Sequence, residues 1–457
     1  MIYEYLMYYI LLISAFIYLA IGLWTARSIR SIQDYFLANR TLGIIPLTFC
    51  LMASQMGSGI ILAIAHRAYL TGFWGLLYMG GISLGLLLLG FGLAYRIRGL
   101  NISTISEIFQ THYKSDTLRK ISSLFSIVSL YGILLVQILA SKSIFLGLEI
   151  TDNYIFFSTW IFIITYSMLG GLSSLIIIDM LQIAFFIITF MWASKWIIPK
   201  TIGKYITLPK IGLIQYRLFK HRFTLDQLLP LFYLPVLYSL IEQDIAQKFF
   251  AAKNKLTASI ASLLACIGLL SFSTLLITFS IISKIENVNI SHGANPLILI
   301  IQELCPKPVF IIIMCAILGG IMTTASSLIS AINANVIQDF SQYLPFNHHK
   351  LLTAKIIALL IPASALIASL FIYADLFSII EISYRLILSA FFIPIFMAYW
   401  IKPNNSLPAW LSMLTGFGSC IILYFYPISQ IYKDVIVLIL SFLGFWVGYL
   451  FITKKNS

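Results

Sequence analysis

The sequence predicts an all-α protein that crosses a lipid bilayer many times, and three observations lead to that fold class. Of its 457 residues, 60% are hydrophobic and only 10% are charged, whereas soluble domains carry about a quarter charged residues. The mean hydropathy is +0.97. Apolar stretches of roughly 20 residues, the length of a helix that spans a bilayer, follow one another along almost the whole chain. No polar segment is long enough for a separate catalytic domain, so we do not expect an enzyme.

The net charge of +13 is better explained by a membrane than by nucleic acid. Most basic residues lie in short connections between apolar stretches, where Lys and Arg set the orientation of a membrane protein. The five cysteines are scattered without the paired spacing of a metal site, and they are interpreted as small hydrophobic residues. The lipid bilayer is therefore an expected partner, and nucleic acid is not.

Hydropathy and length predict about thirteen membrane-spanning helices. Their approximate ranges are 6–25, 42–71, 73–97, 120–149, 154–170, 173–197, 227–250, 257–283, 307–338, 353–374, 376–400, 408–427 and 432–452. The first apolar run lacks a basic leader and a cleavage site, and Arg27 and Arg30 follow it, so we expect a retained span that starts outside. An odd number of spans then places the carboxyl terminus in the cytoplasm.

Basic residues support this orientation only in part. Lys248, Lys253 and Lys255 are assigned to a cytoplasmic loop, in agreement with it. The segment 200–222 is basic although the same count places it outside. We expect it to form an interfacial helix, because apolar residues recur there at helical spacing.

Two predicted spans are interrupted at corresponding places. The second span contains Ala53-Ser54-Gln55-Met56-Gly57-Ser58-Gly59 at its middle, and the seventh contains Pro235 followed by Tyr238-Ser239-Leu240-Ile241-Glu242-Gln243-Asp244. Paired broken helices five spans apart are typical of inverted-repeat transporters that bind their cargo at the middle of the membrane. The alternative is that glycine and proline are simply common in membrane helices.

Small and hydroxyl residues in the ninth span could hold a sodium ion. Gly320, Thr323 and Thr324 stand at i, i+3 and i+4, so a carbonyl and two hydroxyls lie on one helix face. A hard cation prefers such oxygen ligands, and an interrupted helix offers free carbonyls, here those of Ala53 and Met56. The alternative is close helix packing, which small and hydroxyl residues also permit.

Asp179 is a carboxylate inside an apolar span. A central carboxylate costs roughly 2.5–3.5 kcal/mol on membrane-insertion scales, so it usually faces a polar cavity or a partner. The alternative is a position near the end of the sixth span, from which the side chain reaches interfacial water.

In order and spacing, five segments together resemble the sodium:solute symporter family over about residues 30–402. The segments are Asp34–Gly43, Thr104–Glu107, Tyr166–Gly171, Gln247–Asn254 and Gly320–Ser327. The resemblance implies the leucine-transporter fold, with two inverted repeats of five helices. The implied organisation is a peripheral first helix in 1–30, a first repeat in 42–197, a second in 227–400 and peripheral last helices in 408–457.

The resemblance also implies a function and a site. It implies import of a small organic solute with sodium as the coupling ion, through a protein of the bacterial inner membrane. Residue by residue, it implies a sodium site formed by the Ala53, Met56 and Gly320 carbonyls and by the Thr323 and Thr324 hydroxyls. Asp179 falls on the family's aspartate near the path by which sodium leaves.

The substrate is less constrained. The proline carriers have an aspartate at the place of Gln55, so the resemblance disfavours proline and leaves sugars, carboxylates, vitamins and other amino acids open. The polar residues that could line a mid-membrane pocket are Gln55, Ser58, Tyr78, Gln137, Tyr238, Glu242 and Gln243. Arg385 could bind a substrate carboxylate by bidentate hydrogen bonds, or it could simply be neutralised by Glu381 at i−4.

Two other functions stay open at this point. A transporter of the same fold could be driven by protons through Asp179. A membrane sensor could also use the fold, although we expect no attached output domain after Ser457.

Overall fold

A computed structural model describes residues 2–147, 153–205, 225–286, 295–343, 350–372 and 375–456. The regular elements in these ranges are helices, with one isolated parallel bridge between Leu42 and Ala252. Helices are favoured inside a bilayer because every backbone amide finds its partner within the same segment. The all-α prediction is confirmed.

The amino-terminal half of the described chain contains nine α-helices. Their bounds are α1 (Ile2–Ala26), α2 (Ile32–Leu37), α3 (Ile44–Gln55), α4 (Ser58–Thr71), α5 (Leu76–Leu88), α6 (Ala94–Gly99), α7 (Glu107–Thr111), α8 (Asp116–Gly147) and α9 (Asn153–Tyr205). Helix α2 begins with a capping box, in which Ser31 and Asp34 satisfy each other's backbone amides. A π-helical turn over Leu89–Leu93 joins α5 to α6.

Helix α9 contains two predicted spans, and Gly171 separates them. Its φ of 54° lies in the left-handed region, and a Cβ atom added there would lie 2.6 Å from the Tyr35 carbonyl oxygen. Only glycine combines that backbone conformation with so close an approach. The predicted boundary between residues 170 and 173 thus coincides with a break in the helical backbone at Gly171.

The carboxyl-terminal half also contains nine α-helices in its described part, and the first two of them are short. The bounds are α10 (Leu225–Ser239), α11 (Gln243–Ala251), α12 (Lys255–Ile285), α13 (Pro296–Leu304), α14 (Lys307–Asp339), α15 (Lys350–Ala368), α16 (Leu376–Ala398), α17 (Leu407–Tyr424) and α18 (Gln430–Asn456). Side chains cap several starts: Asn254 accepts from the Thr257 amide at 2.7 Å, and Asp375 accepts from the Ser378 amide at 3.2 Å.

Ten stretches of the described chain are long and apolar enough to cross a membrane, and α3 and part of α1 add shorter apolar helices. The exact number of thirteen spans is not confirmed. The stretch Gly59–Gly99 joins α4, α5 and α6, and the stretch Tyr154–Pro199 contains both halves of α9. The predicted interfacial helix in 200–222 lies mostly outside the described residues, because α9 ends at Tyr205 and the description resumes at residue 225.

Helix α14 is the central element. Nearly all of its residues are buried, and it packs against α3, α8, α9, α11 and α15. Its last residue, Asp339, is 2.7 Å from Arg119 Nε and accepts a hydrogen bond from Thr104. Burial raises the pKa of Glu107 in the same cluster, and the nearby Arg119 guanidinium partly offsets that shift. This polar cluster fixes one end of α14, so the face that carries Thr323 and Thr324 is held in place.

Candidate functional site

The interruption predicted in the second span is present. Helix α3 ends at Gln55 and α4 begins at Ser58, with Met56 and Gly57 between them. A Cβ atom added to Gly57 would lie 2.7 Å from the Thr324 hydroxyl oxygen, so this close approach to α14 requires glycine. The last carbonyls of a helix have no intrahelical partner. The break therefore presents backbone oxygens to α14.

The two threonine hydroxyls of α14 meet those oxygens. The Thr324 hydroxyl donates to the Ala53 carbonyl at 3.1 Å and lies 3.4 Å from the Ser54 carbonyl. The Thr323 hydroxyl donates to the Gly320 carbonyl at 3.0 Å and lies 3.4 Å from that of Ala53. Four of the five residues predicted to hold sodium thus contact one another through their oxygens.

Met56, the fifth residue predicted to hold sodium, comes directly after the end of α3. Its amide donates to the Met52 carbonyl at 2.9 Å, and its own carbonyl comes after the last turn of α3. The Ser54 carbonyl was missed by the sequence analysis. It could have been found, because it too lies in the turn that precedes the break.

The donor set suits a hard monovalent cation. Backbone carbonyls and hydroxyls are neutral oxygen ligands, and a hydroxyl that now donates to a carbonyl can rotate to offer a lone pair instead. No group of three or more His, Cys, Asp or Glu side chains that could hold a metal occurs in the described ranges. Neutral carbonyl and hydroxyl oxygens themselves favour an alkali cation over a transition metal.

A second interruption lies between α10 and α11. Helix α10 ends at Ser239, and Leu240 to Glu242 connect it to Gln243. The Gln55 side-chain amide donates to the Glu242 carboxylate at 3.2 Å, and both residues are buried. The two breaks are thus in direct contact.

Three tyrosines form an aromatic cluster near this contact. The rings of Tyr238 and Tyr384 stack with centroids 3.9 Å apart, and the hydroxyls of Tyr384 and Tyr78 lie 2.6 Å apart. Tyr78 and Tyr238 were predicted to line a pocket, whereas Tyr384 was not. The sequence offered one signal for Tyr384: it is a phenol within an apolar span, next to Arg385.

Gln137 approaches the first break from α8. Its side-chain oxygen accepts from the Gly59 amide at 3.1 Å, at the start of α4, and its buried Nε2 has no hydrogen-bond partner in the described structure.

The side chain of Ser58 lies outside the described part of the chain. Gln243 is buried, and its side-chain oxygen accepts from the Ile105 amide at 2.7 Å, so it ties α11 to the segment before α7.

The structure does not bring Arg385 together with these residues. Its guanidinium pairs with Glu381 at 2.8 Å and with Asp434 of α18 at 3.1 Å. It lines a cavity between α10, α16, α17 and α18 together with Tyr233, Leu388 and Cys420. The pairing with Glu381, the alternative considered for the sequence, is present.

Lys248 lies inside the protein and not in a loop. It was predicted in a cytoplasmic loop, but it belongs to α11 and is 1% exposed. Its ammonium is 3.0 Å from both carboxylate oxygens of Asp244 and donates to Ser327 at 2.6 Å. The available signal was an acid and a base at i, i+4, which is typical of a pair on one helix face.

Asp179 is 1% exposed and accepts a hydrogen bond from the Cys50 thiol at 3.0 Å. Its other carboxylate oxygen is buried without a partner among the described residues. The alternative, a side chain that reaches interfacial water, is therefore wrong for this structure. Cys50 lies one turn before Ala53 on α3, so Asp179 is close to the cation-binding candidates.

An all-helical membrane protein whose two broken helices meet beside an oxygen cluster has the architecture of a secondary transporter. The profile of the sodium:solute symporter family matches residues 35–416. The chain belongs to the sodium:solute symporter family. No curated protein sequence matches the chain closely enough to count as a relative.

Solved structures show the same fold. A Na+-coupled sialic acid symporter in a substrate-bound outward-open state has a TM-score of 0.82 at 15% identity, with 97% of each chain covered. Mhp1, a nucleobase-cation-symport-1 family transporter in a closed conformation with bromovinylhydantoin bound, has a TM-score of 0.60 at 13% identity, covering 92% of this chain and 94% of Mhp1. At these identities the similarity shows the fold alone.

Proposed function

We propose that this protein imports a small organic solute by symport with sodium, which binds where the break after α3 meets α14. The observation that carries the proposal is the contact of the Thr323 and Thr324 hydroxyls with the Ala53 carbonyl. Family membership supports sodium coupling, and the neutral oxygens of Ala53, Met56, Gly320 and the two threonines support sodium at this position.

Coupling follows from thermodynamic linkage. Sodium at this contact would join α3 to α14 and thereby position Gln55, which contacts Glu242 at the second break. Any solute that binds between the breaks then binds more tightly with sodium present, and sodium binds more tightly with solute, by the same factor. A membrane potential adds about 2.3 kcal/mol per charge per 100 mV to the driving force.

Orientation and organisation are part of the proposal. We place the protein in the bacterial inner membrane, with the amino terminus outside and the carboxyl terminus in the cytoplasm. Residues 42–197 and 227–400 form the two inverted repeats, and each repeat begins with one broken helix. Residues 1–30 and 408–457 are peripheral. Asp179 then lies on the cytoplasmic side of the sodium position.

Uptake into proteoliposomes tests the function. Labelled amino acids, sugars, monocarboxylates and vitamins are offered with either sodium or choline outside, at fixed pH. We expect accumulation of one class only in sodium, increased by an inside-negative potential. Accumulation that is equal in choline and follows a pH gradient would assign proton coupling instead. Sodium binding without uptake of any solute would favour a sensor.

The Asp179→Asn variant tests the exit path. A carboxylate there attracts the ion as it leaves, so its loss should lower the maximal uptake rate more than it raises the half-saturating sodium concentration. The matched control is Asp116→Asn, an exposed carboxylate at the start of α8 that pairs with Lys120. Equal maximal rates in wild type and Asp179→Asn would remove Asp179 from the path.

A further inference from the structure

Glu242 is a buried carboxylate at the meeting point of the two broken helices. Only 6% of the residue is exposed, and it lies in the non-helical connection between α10 and α11. Gln55, the last residue before the first break, donates to it at 3.2 Å. It therefore occupies the place where inverted-repeat transporters bind their cargo.

The charge of Glu242 is not balanced by the protein. The interior between α3, α9, α11 and α14 holds the carboxylates of Asp179, Glu242 and Asp244 and the single ammonium group of Lys248 among its described residues. Asp244 and Ser327 already use that ammonium group. No basic side chain within the described ranges forms an ion pair with Glu242.

Two positive charges are therefore missing from this interior if all three carboxylates are ionised. A sodium ion at the α3–α14 contact supplies one of them. Buried charges in membrane proteins are almost always paired, because an unpaired charge in a low-dielectric interior is costly. The remaining charge is balanced either by a proton on one carboxylate or by a positive group that binds at Glu242.

The surroundings of Glu242 favour an organic cation. The phenols of Tyr78, Tyr238 and Tyr384 all lie within electrostatic range of its carboxylate. The faces of tyrosine rings attract ammonium groups at distances up to about 6 Å. Arg385, the other candidate for recognising a charged solute, is already paired with Glu381 and Asp434.

Resting on the proposed function, we propose that the transported solute carries a positively charged nitrogen, which pairs with Glu242 against the Tyr78–Tyr238–Tyr384 cluster. The solute is thus a small organic cation or a zwitterion. Gln55 holds the carboxylate toward the first break. The buried Nε2 of Gln137, beside the start of α4, is free to donate to an oxygen of the same solute.

Solute-induced thermal stabilisation of the purified full-length protein in sodium tests the proposal. The probes are choline, glycine betaine and arginine as carriers of a positive nitrogen, glucose and inositol as neutral solutes, and pyruvate and N-acetylneuraminate as anions. We expect stabilisation by a probe of the first class, with the apparent Kd raised about ten- to a hundredfold in Glu242→Gln. Glu381→Gln, which removes a half-buried carboxylate that already has an arginine partner, should leave that Kd unchanged.

A sodium titration without solute separates this proposal from the proposed function. Glu242→Gln should retain the sodium-induced stabilisation of wild type, which also shows that the variant is folded. Binding of a neutral solute equally by wild type and Glu242→Gln would overturn the proposal. Binding of an anion that is lost in Arg385→Ala would overturn it in favour of Arg385. Uptake whose pH dependence disappears in Glu242→Gln, with unchanged solute affinity, would overturn it in favour of a proton at Glu242.

Discussion

The Thr324→Ala variant is expected to need about ten- to a hundredfold more sodium than wild type for half-maximal uptake. The substitution removes one of the two hydroxyls that meet the Ala53 carbonyl, and losing a ligand to a charged group costs about 1.5–3 kcal/mol. The side chain is small and fully buried, so folding should change much less. The measurement is uptake against sodium concentration in proteoliposomes, with thermal unfolding as the folding readout.

Two control variants make this result specific. Thr324→Ser keeps the hydroxyl and should restore most of the sodium affinity. Thr274→Ala removes an exposed hydroxyl of α12 that donates to the Leu270 carbonyl of its own helix, and it should behave like wild type. Identical sodium activation curves for Thr324→Ala and wild type would contradict the assigned position of the ion.

The Lys248→Met variant is expected to have the largest effect on folding. It leaves the Asp244 carboxylate buried without its ammonium partner, and breaking a buried pair in this way costs about 3–5 kcal/mol. We expect a clear fall in the apparent Tm and in the yield of monodisperse protein. Lys255→Met is the matched control, because Lys255 is exposed at the start of α12.

A double variant separates the pair from either residue alone. Lys248→Met with Asp244→Asn removes both charges, so it should recover much of the Tm that Lys248→Met loses. A double variant that unfolds at the sum of the two single losses would show that the ion pair is not the cause. Lys248→Met with the Tm of wild type would contradict the buried position of Lys248.

Much of the architecture could be predicted from the sequence because membrane helices are specified locally. Long apolar runs predicted most helix positions, and the segments around Gly57 and Pro235 indicated the two breaks. The number of spans could not be read in the same way. The stretch Gly59–Gly99 is apolar over its whole length, and hydropathy does not show where such a stretch turns.

Residues on one helix face were easier to predict than contacts between helices. The i, i+3, i+4 spacing of Gly320, Thr323 and Thr324 placed three oxygens together, and the structure brings the two hydroxyls to the Ala53 carbonyl. Spacing does not reveal which neighbouring helix a side chain meets. For that reason Lys248 was taken for a loop residue, and the contacts of Arg385 with Asp434 and of Gln243 with the Ile105 amide were not foreseen.

Density for the ion is the most direct test of the sodium position. Cryo-electron microscopy maps of the protein purified in sodium and in choline should differ at the break after α3. The account predicts a peak present only in sodium, enclosed by the carbonyls of Ala53, Met56 and Gly320 and the hydroxyls of Thr323 and Thr324. A sodium-dependent peak elsewhere, with the Thr324 hydroxyl still donating to the Ala53 carbonyl, would contradict it.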